Sequence, residues 1–235
     1  MKDSRIVHGA RRAFFAAAAV LLLAEAGCVA SGYERGGDAA VALQKSADLA
    51  AAGRAQADAA VKLLEELVTD PSDDLAPQFE QFAEAVASLE TMAGDLRGAG
   101  LKVKAKGESY LVQWSEDLQK IQNEAIRNQS ASRKEQVRAA FAGVQKRVDQ
   151  TNSELEPLLA NLRDVRLAIG LDLTAAGLTA IQPIAAKAVE DAKTVGETLD
   201  RLTVEYRALG VSMSHVAVEP AKDAAKDVSV AAGAS

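Results

Sequence analysis

RKEQVRAAFAGVQKRVDQTNSELEPLLANLRDVRLAIGL, residues 133–171, decides the fold. Within it Val137, Phe141, Val144, Val148, Thr151, Leu155, Leu158, Leu162, Val165 and Ile169 recur alternately four and three residues apart without a slip. Only Thr151 is not strongly apolar. This spacing keeps one stripe on one side of an α-helix, and a stripe held for nearly five heptads needs partner helices along its whole length. At about 1.5 Å per residue the helix is a rod of roughly 55 Å.

A second stripe answers it downstream. Leu178, Ile181, Ala185, Ala188, Ala192, Val195, Leu199, Leu202, Tyr206 and Leu209 follow the same alternation, and Gly210 is a natural stop. Asp172 or Thr174 caps this helix at its start. Upstream, Leu43, Ala47, Ala50, Arg54, Ala57, Val61, Leu64 and Val68 form a seam that places a first helix over Ala39–Val68, ended by Asp70-Pro71. The next apolar series begins at Leu75 and runs through Phe79, Phe82, Val86, Leu89, Ala93, Leu96, Val103, Tyr110 and Trp114. A one-residue shift then continues it to Leu118, Ile121 and Ala125.

Glycines 94, 98, 100 and 107 each weaken that helix by about 1 kcal/mol relative to alanine. The seam keeps its phase through them, so one long helix to Asn128 is expected, with a break over Gly94–Gly107 as the alternative. Asn128-Gln129-Ser130 then forms a turn, and Ser132 with Glu135 has capping-box spacing for the third helix. The fold expected is all-α: an elongated antiparallel bundle, or coiled coil, of four long helices over 39–210. From these lengths the first two helices pair at one end and the last three at the other.

Composition agrees. Of 235 residues 49% are hydrophobic but only 4% aromatic, which favours slender packed helices over a thick core with a deep pocket. One Cys excludes an intrachain disulfide, and two His leave no metal-ligand spacing. No catalytic residues, no cofactor and no metal site are expected, and the protein is read as not an enzyme.

The N-terminus has its own pattern. Lys2, Arg5, Arg11 and Arg12 precede the apolar run Ala13–Ala24. That is the layout of an export signal over 1–27, too short for an ordinary spanning helix. Ala26-Gly27-Cys28 resembles the end of a bacterial lipobox, which makes Cys28 the candidate lipidation residue; Ala24-Glu25-Ala26 offers ordinary cleavage after Ala26 instead. Residues 28–38 read as a flexible tether with Gly32, Gly36 and Gly37, and 211–235 as a disordered tail. Losing residues 1–27 removes four basic and two acidic residues and leaves a net charge of −8. Such a chain is a poor partner for nucleic acid, so membrane attachment is expected through lipid on Cys28. The non-acidic Val29 resembles the sorting position of outer-membrane lipoproteins.

Other candidates carry two readings each. Tyr110 and Trp114 form either a ligand-stacking face or core packing. Arg163-Asp164 is either a functional pair or a solvated one. Glu65-Glu66 and Asp73-Asp74 lack the ligand count of a calcium loop, and Glu156 lacks the Glu-x-x-His partner of a bundle metal site.

Trp114, Leu118, Ile121 and Arg127, then Glu156-Pro157-Leu158-Leu159 and Leu162-Arg163-Asp164, with Ala175 and Ile181 after them, resemble an uncharacterised bacterial family of exported, coiled-coil-rich proteins and lipoproteins of unknown function. Members often carry Lys-His-Asn where this chain has Gly170-Leu171-Asp172, so the chain departs from the pattern there. The resemblance implies fold and export and carries no activity. The functional expectation is a cell-envelope lipoprotein, outer-membrane anchored on the periplasmic side, that scaffolds a protein partner or forms a homo-oligomer. The alternative is a soluble periplasmic binding module, a carrier of apolar ligand or a chaperone.

Overall fold

The computed structural model describes residues 31–214. Four helices occupy them: α1 (Gly32–Thr69), α2 (Ala76–Leu118), α3 (Glu124–Leu171) and α4 (Ala175–Met213). Each packs on its neighbour in chain order and α4 closes back on α1, while the backbones of the diagonal pairs stay apart. The result is an up-down-up-down four-helix bundle, as the all-α expectation required.

Every strongly apolar seam position between Val137 and Ile169 is buried, and Thr151 with them. The Thr151 hydroxyl donates to the Arg147 carbonyl one turn back at 2.9 Å, which satisfies its polar atom inside the core. The second stripe is likewise buried from Leu178 to Leu209. The α1 seam is built of small side chains (Ala39, Ala42, Ala47, Ala50, Ala57 and Ala60, all buried), and α4 meets it with Ala188, Ala192 and Gly196. Small side chains let the two backbones come close: a Cβ on Gly210 would stand 3.4 Å from the Ala40 carbonyl oxygen.

α2 is continuous through its glycines. Gly100 and Gly107 are notches, not breaks. A Cβ at Gly100 would fall 2.7 Å from Val148 Cγ1, and one at Gly107 would fall 2.7 Å from the Phe141 ring. Two large α3 side chains thus sit where α2 has none.

The boundaries differ from expectation at three places. First, α2 stops at Leu118 and α3 starts at Glu124, so the turn lies before Asn128, not at it. Asn123 caps α3 by accepting from the Ile126 N–H at 3.1 Å, and the Arg127 guanidinium ties down the Ile121 carbonyl at 2.9 Å. Ser132 and Glu135 fall inside α3. The one-residue shift needed to keep Leu118 and Ile121 in the seam marks where the helix ends.

Second, the helices are not staggered into two sets. With the turn moved back, Gly32 of α1 stands level with Asp117 of α2, and Phe79 of α2 with Gly170 of α3. α1 and α2 therefore pair over the full length of α1, and α3 covers α2 to the far end. Third, residues 32–38 of the expected tether are helix. The Ser31 N–H donates to Glu34 Oε2 at 2.6 Å in a capping box. Arg35 donates to Ser109 Oγ at 2.9 Å, and Lys106 meets Asp38 at 2.9 Å. Gly36 fits under the Tyr110 ring. At the other terminus residues 211–213 of the expected tail are the last turn of α4. Residues 215–235 of the tail, the export signal and Cys28 lie outside the described residues.

Thr174 is the α4 cap: its hydroxyl oxygen accepts from the Gly177 N–H at 3.1 Å and its O–H donates to Asp172 at 2.8 Å. Pro157 and Pro183 occupy exposed positions of continuous helices, so the carbonyls they orphan face water.

Candidate functional site

The most organised polar feature is a ladder between α3 and α4. Its members stand one residue before seam positions: Arg147, Glu154 and Asn161 on α3, Asp191, Thr198 and Glu205 on α4. Heptad spacing repeats each trio along one edge of its helix, and the antiparallel pairing matches them in reverse order. Arg147 meets Glu205 at 3.0 Å. Thr198 donates to Glu154 Oε2 at 2.5 Å, and Asn161 donates to Asp191 at 3.4 Å. Gln150 joins two rungs, accepting from Arg147 at 2.7 Å and donating to Glu154 at 2.8 Å.

Beside the ladder an open groove of about 570 Å³ is lined by Ala140, Gly143, Lys146, Arg147, Glu205 and Ala208. Its buried lining residues are Val144 and Leu209 of the two seams. Arg147 and Glu205 neutralise each other there, and the neighbouring carboxylate, Glu154, accepts hydrogen bonds on both oxygens. A ladder so satisfied fixes which face of α4 meets α3 and in what register. It pairs no nucleophile with a base. Sequence reading followed the seams and passed over the residues flanking them, which was the available signal.

Most of the other candidate residues serve packing and pairing. Tyr110 and Trp114 stack at 5.3 Å between ring centroids, tilted by 49°, and both pack on the core. The Trp114 indole donates to Ser130 Oγ at 2.9 Å, so its polar edge is used inside the fold. Arg163 reaches across to Glu90 on α2 at 2.5 Å, so it pins α3 to α2 and does not pair with Asp164. Glu66 pairs with Lys62 at 3.5 Å. Asp74 Oδ1 accepts from the Ala76 N–H at 3.1 Å, a helix-start contact. Glu156 is exposed, and its neighbour Glu154 is the carboxylate that meets α4. Among the described residues no three His, Cys, Asp or Glu converge as metal ligands. No helix among them is long and apolar enough to cross a membrane.

Three electrostatic shifts follow from these placements. The Lys106 ammonium beside Asp38, by hydrogen bond and charge, holds that carboxyl below its ordinary value. Asp58, hydrogen-bonded to the Arg54 guanidinium, raises the arginine further, and Arg54 crosses Gly196 to reach Asp200 on α4 at 3.5 Å. Burial pushes the Tyr206 hydroxyl up to about 12. Each concerns a group that holds helices together.

A family model described as a protein of unknown function (DUF2959) matches residues 32–206. The match begins where α1 begins and ends within the last two turns of α4, so it covers the bundle. No curated protein and no solved structure matches the chain.

Proposed function

We propose that this chain, which belongs to the DUF2959 family of unknown function, is a non-enzymatic cell-envelope lipoprotein whose bundle acts as a structural or interaction scaffold. The observation that carries the reading is a core closed along its length by apolar side chains, with a polar ladder beside it that joins α3 to α4. Phe82, Leu89, Leu158, Leu162 and Leu199 are fully buried between the four helices, and the open grooves lie on the outside of the bundle. A carrier of apolar ligand needs an enclosed pocket between its helices. A scaffold needs a stiff body with a defined surface.

The anchor is part of the proposal. Cys28 precedes the start of α1 by four residues. Fully extended, that link spans about 14 Å, so lipid on Cys28 would hold the Gly32 end of the bundle close to a bilayer. Metabolic labelling with a fatty-acid probe tests this in the wild type and in Cys28→Ser. Label on the wild type that disappears from the variant, with loss of membrane fractionation, supports the reading. An unlabelled wild-type chain released in soluble form overturns the anchor and favours the soluble periplasmic alternative.

A further inference from the structure

At the Gly32 end of the bundle α4 stops about two turns before its neighbours. The α3–α4 ladder fixes the levels: one heptad beyond Arg147 and Glu205, Ala140 stands beside Ser212, and both line one groove. From there α3 runs on to Glu124, whereas α4 ends at Met213. On the other flank a Cβ on Gly210 would meet Ala40 and Leu43, which puts Ser214 level with Asp38. The first turns of α1 and the last turns of α2 therefore extend roughly 9–12 Å past α4. α2 lies diagonally across from α4. At this level its Tyr110 ring leans on Gly36 of α1, and its Trp114 indole reaches Ser130 of α3. The two rings thus floor the side that α4 leaves open. Both are only partly buried, whereas Phe82, Val86 and Leu89 of the same seam are fully buried. Tyr33, on the α1 edge of the opening, is 65% exposed.

A groove of about 440 Å³ leads into this opening, lined by Tyr33, Gly37, Val41, Val211 and Ser214. Ser214 has already left the helix. Its N–H closes on the Gly210 and Val211 carbonyls at 3.0 and 3.2 Å, and its backbone is extended. The sequence continues as His215-Val216-Ala217-Val218-Glu219-Pro220. We propose that residues 215–218 run on along the line of α4 as an extended segment and complete the fourth side of the bundle over Tyr110 and Trp114.

Three features select this segment over a separate partner. It is joined to the rim of the opening at Ser214, so its effective concentration there is high and a few small side chains suffice to hold it. Its length fits: four extended residues span about 13 Å, which covers the stretch that α4 leaves. Its pattern fits as well. Val216 and Val218 fall on one side of an extended backbone, with His215 and Ala217 on the other, and β-branched residues favour that backbone. Two apolar side chains then face the rings, and the charged Glu219 and the Pro220 break follow where the cover ends. Closure sends the remaining tail out beside Ser31, so both chain ends leave the bundle together. The contact goes beyond the scaffold reading and stands whether or not Cys28 carries lipid.

Trp114 is the only tryptophan, so intrinsic fluorescence of the full-length Cys28→Ser chain reports on the opening. With the native tail, Trp114 should emit at short wavelength and resist quenching by acrylamide. Val216→Asp/Val218→Asp should move the emission to longer wavelength and raise the quenching constant at least twofold, and the milder Val216→Ala/Val218→Ala should fall between. Val228→Asp/Val230→Asp, with the same spacing further along the tail, should match the native chain. Far-UV circular dichroism should show the same helix content in all four chains. Equal quenching in all four overturns the proposal. So does a Trp114 that loses its shielding on dilution, which assigns the opening to a second copy, or one shielded only after phospholipid vesicles are added, which assigns it to a bilayer.

Discussion

The four glycines of α2 divide into two kinds, and replacing each by alanine should divide them by sign. At Gly94 and Gly98 the new methyl meets open space. Only the helix preference remains, and each substitution should stabilise the dilute monomer by about 1 kcal/mol. At Gly107 the methyl would stand 2.7 Å from two atoms of the Phe141 ring and 3.0 Å from a third. Phe141 is buried at 6% exposure and cannot swing out to solvent. Overpacking of this kind costs about 1–3 kcal/mol, against the helix gain of about 1 kcal/mol. The net expectation for Gly107→Ala is a loss of up to about 2 kcal/mol. Gly100→Ala should lose as well, because Val148 is β-branched and fixed in its helix rotamer. For a chain of this size 1 kcal/mol moves the melting temperature by about 2–4 °C. Thermal unfolding followed by circular dichroism at low protein concentration should therefore show Gly94→Ala and Gly98→Ala melting higher, and Gly100→Ala and Gly107→Ala lower. All four moving upward together would refute the packing of Val148 and Phe141 of α3 into notches on α2.

Further outcomes follow from the core, the ladder and the buried tyrosine. Leu158→Ala, at a fully buried site, should cost about 2–5 kcal/mol, whereas Ile126→Ala, 57% exposed, should stay within about 0.5 kcal/mol; urea denaturation distinguishes them. A double-mutant cycle on Arg147 and Glu205, both about a third exposed, should return a coupling of about 0.5–1 kcal/mol that shrinks with salt, and a zero coupling would remove that rung. Tyr206 binds its proton more tightly folded than unfolded, so its contribution is whole below pH 10 and is lost as pH rises from about 10 to about 12. Each tenfold gain in proton affinity on folding corresponds to about 1.4 kcal/mol. Tyr206→Phe should flatten the stability profile between those two pH values, as read by urea midpoints, and an unchanged slope would show the hydroxyl to be solvated.

Much of the fold was legible because the heptad seams are long. Once Val137 to Ile169 keeps its alternation for ten positions, a helix and its buried face are both determined, and Leu178 to Leu209 supplies the partner. The boundaries were harder for physical reasons. Ser132 with Glu135 has the spacing of a capping box, but such a pair also sits on any exposed helix surface. Asn123 made no sequence-level claim until the chain turned beneath it. Gly32, Gly36 and Gly37 look like a linker in one dimension. In three dimensions Gly36 makes room for Tyr110, and Arg35 and Asp38 find partners on α2 more than sixty residues away. The α3–α4 ladder was written beside both seams, but a flanking charge gains meaning only when the opposite flank is known. The two glycine classes of α2 were indistinguishable in sequence, since only the position of α3 tells notch from open surface.

The central claim is four long helices in an antiparallel bundle. Pulsed electron-spin distances between labelled turns test it most directly. Labels at Asp73 and Asp172, at the turns entering α2 and α4, should lie close together at one end. Labels at Lys120 and Asp73 should lie about 60 Å apart, the length of α2 at its rise per residue. Long separations for the first pair, or a Lys120–Asp73 distance well short of the helix length, would contradict the arrangement.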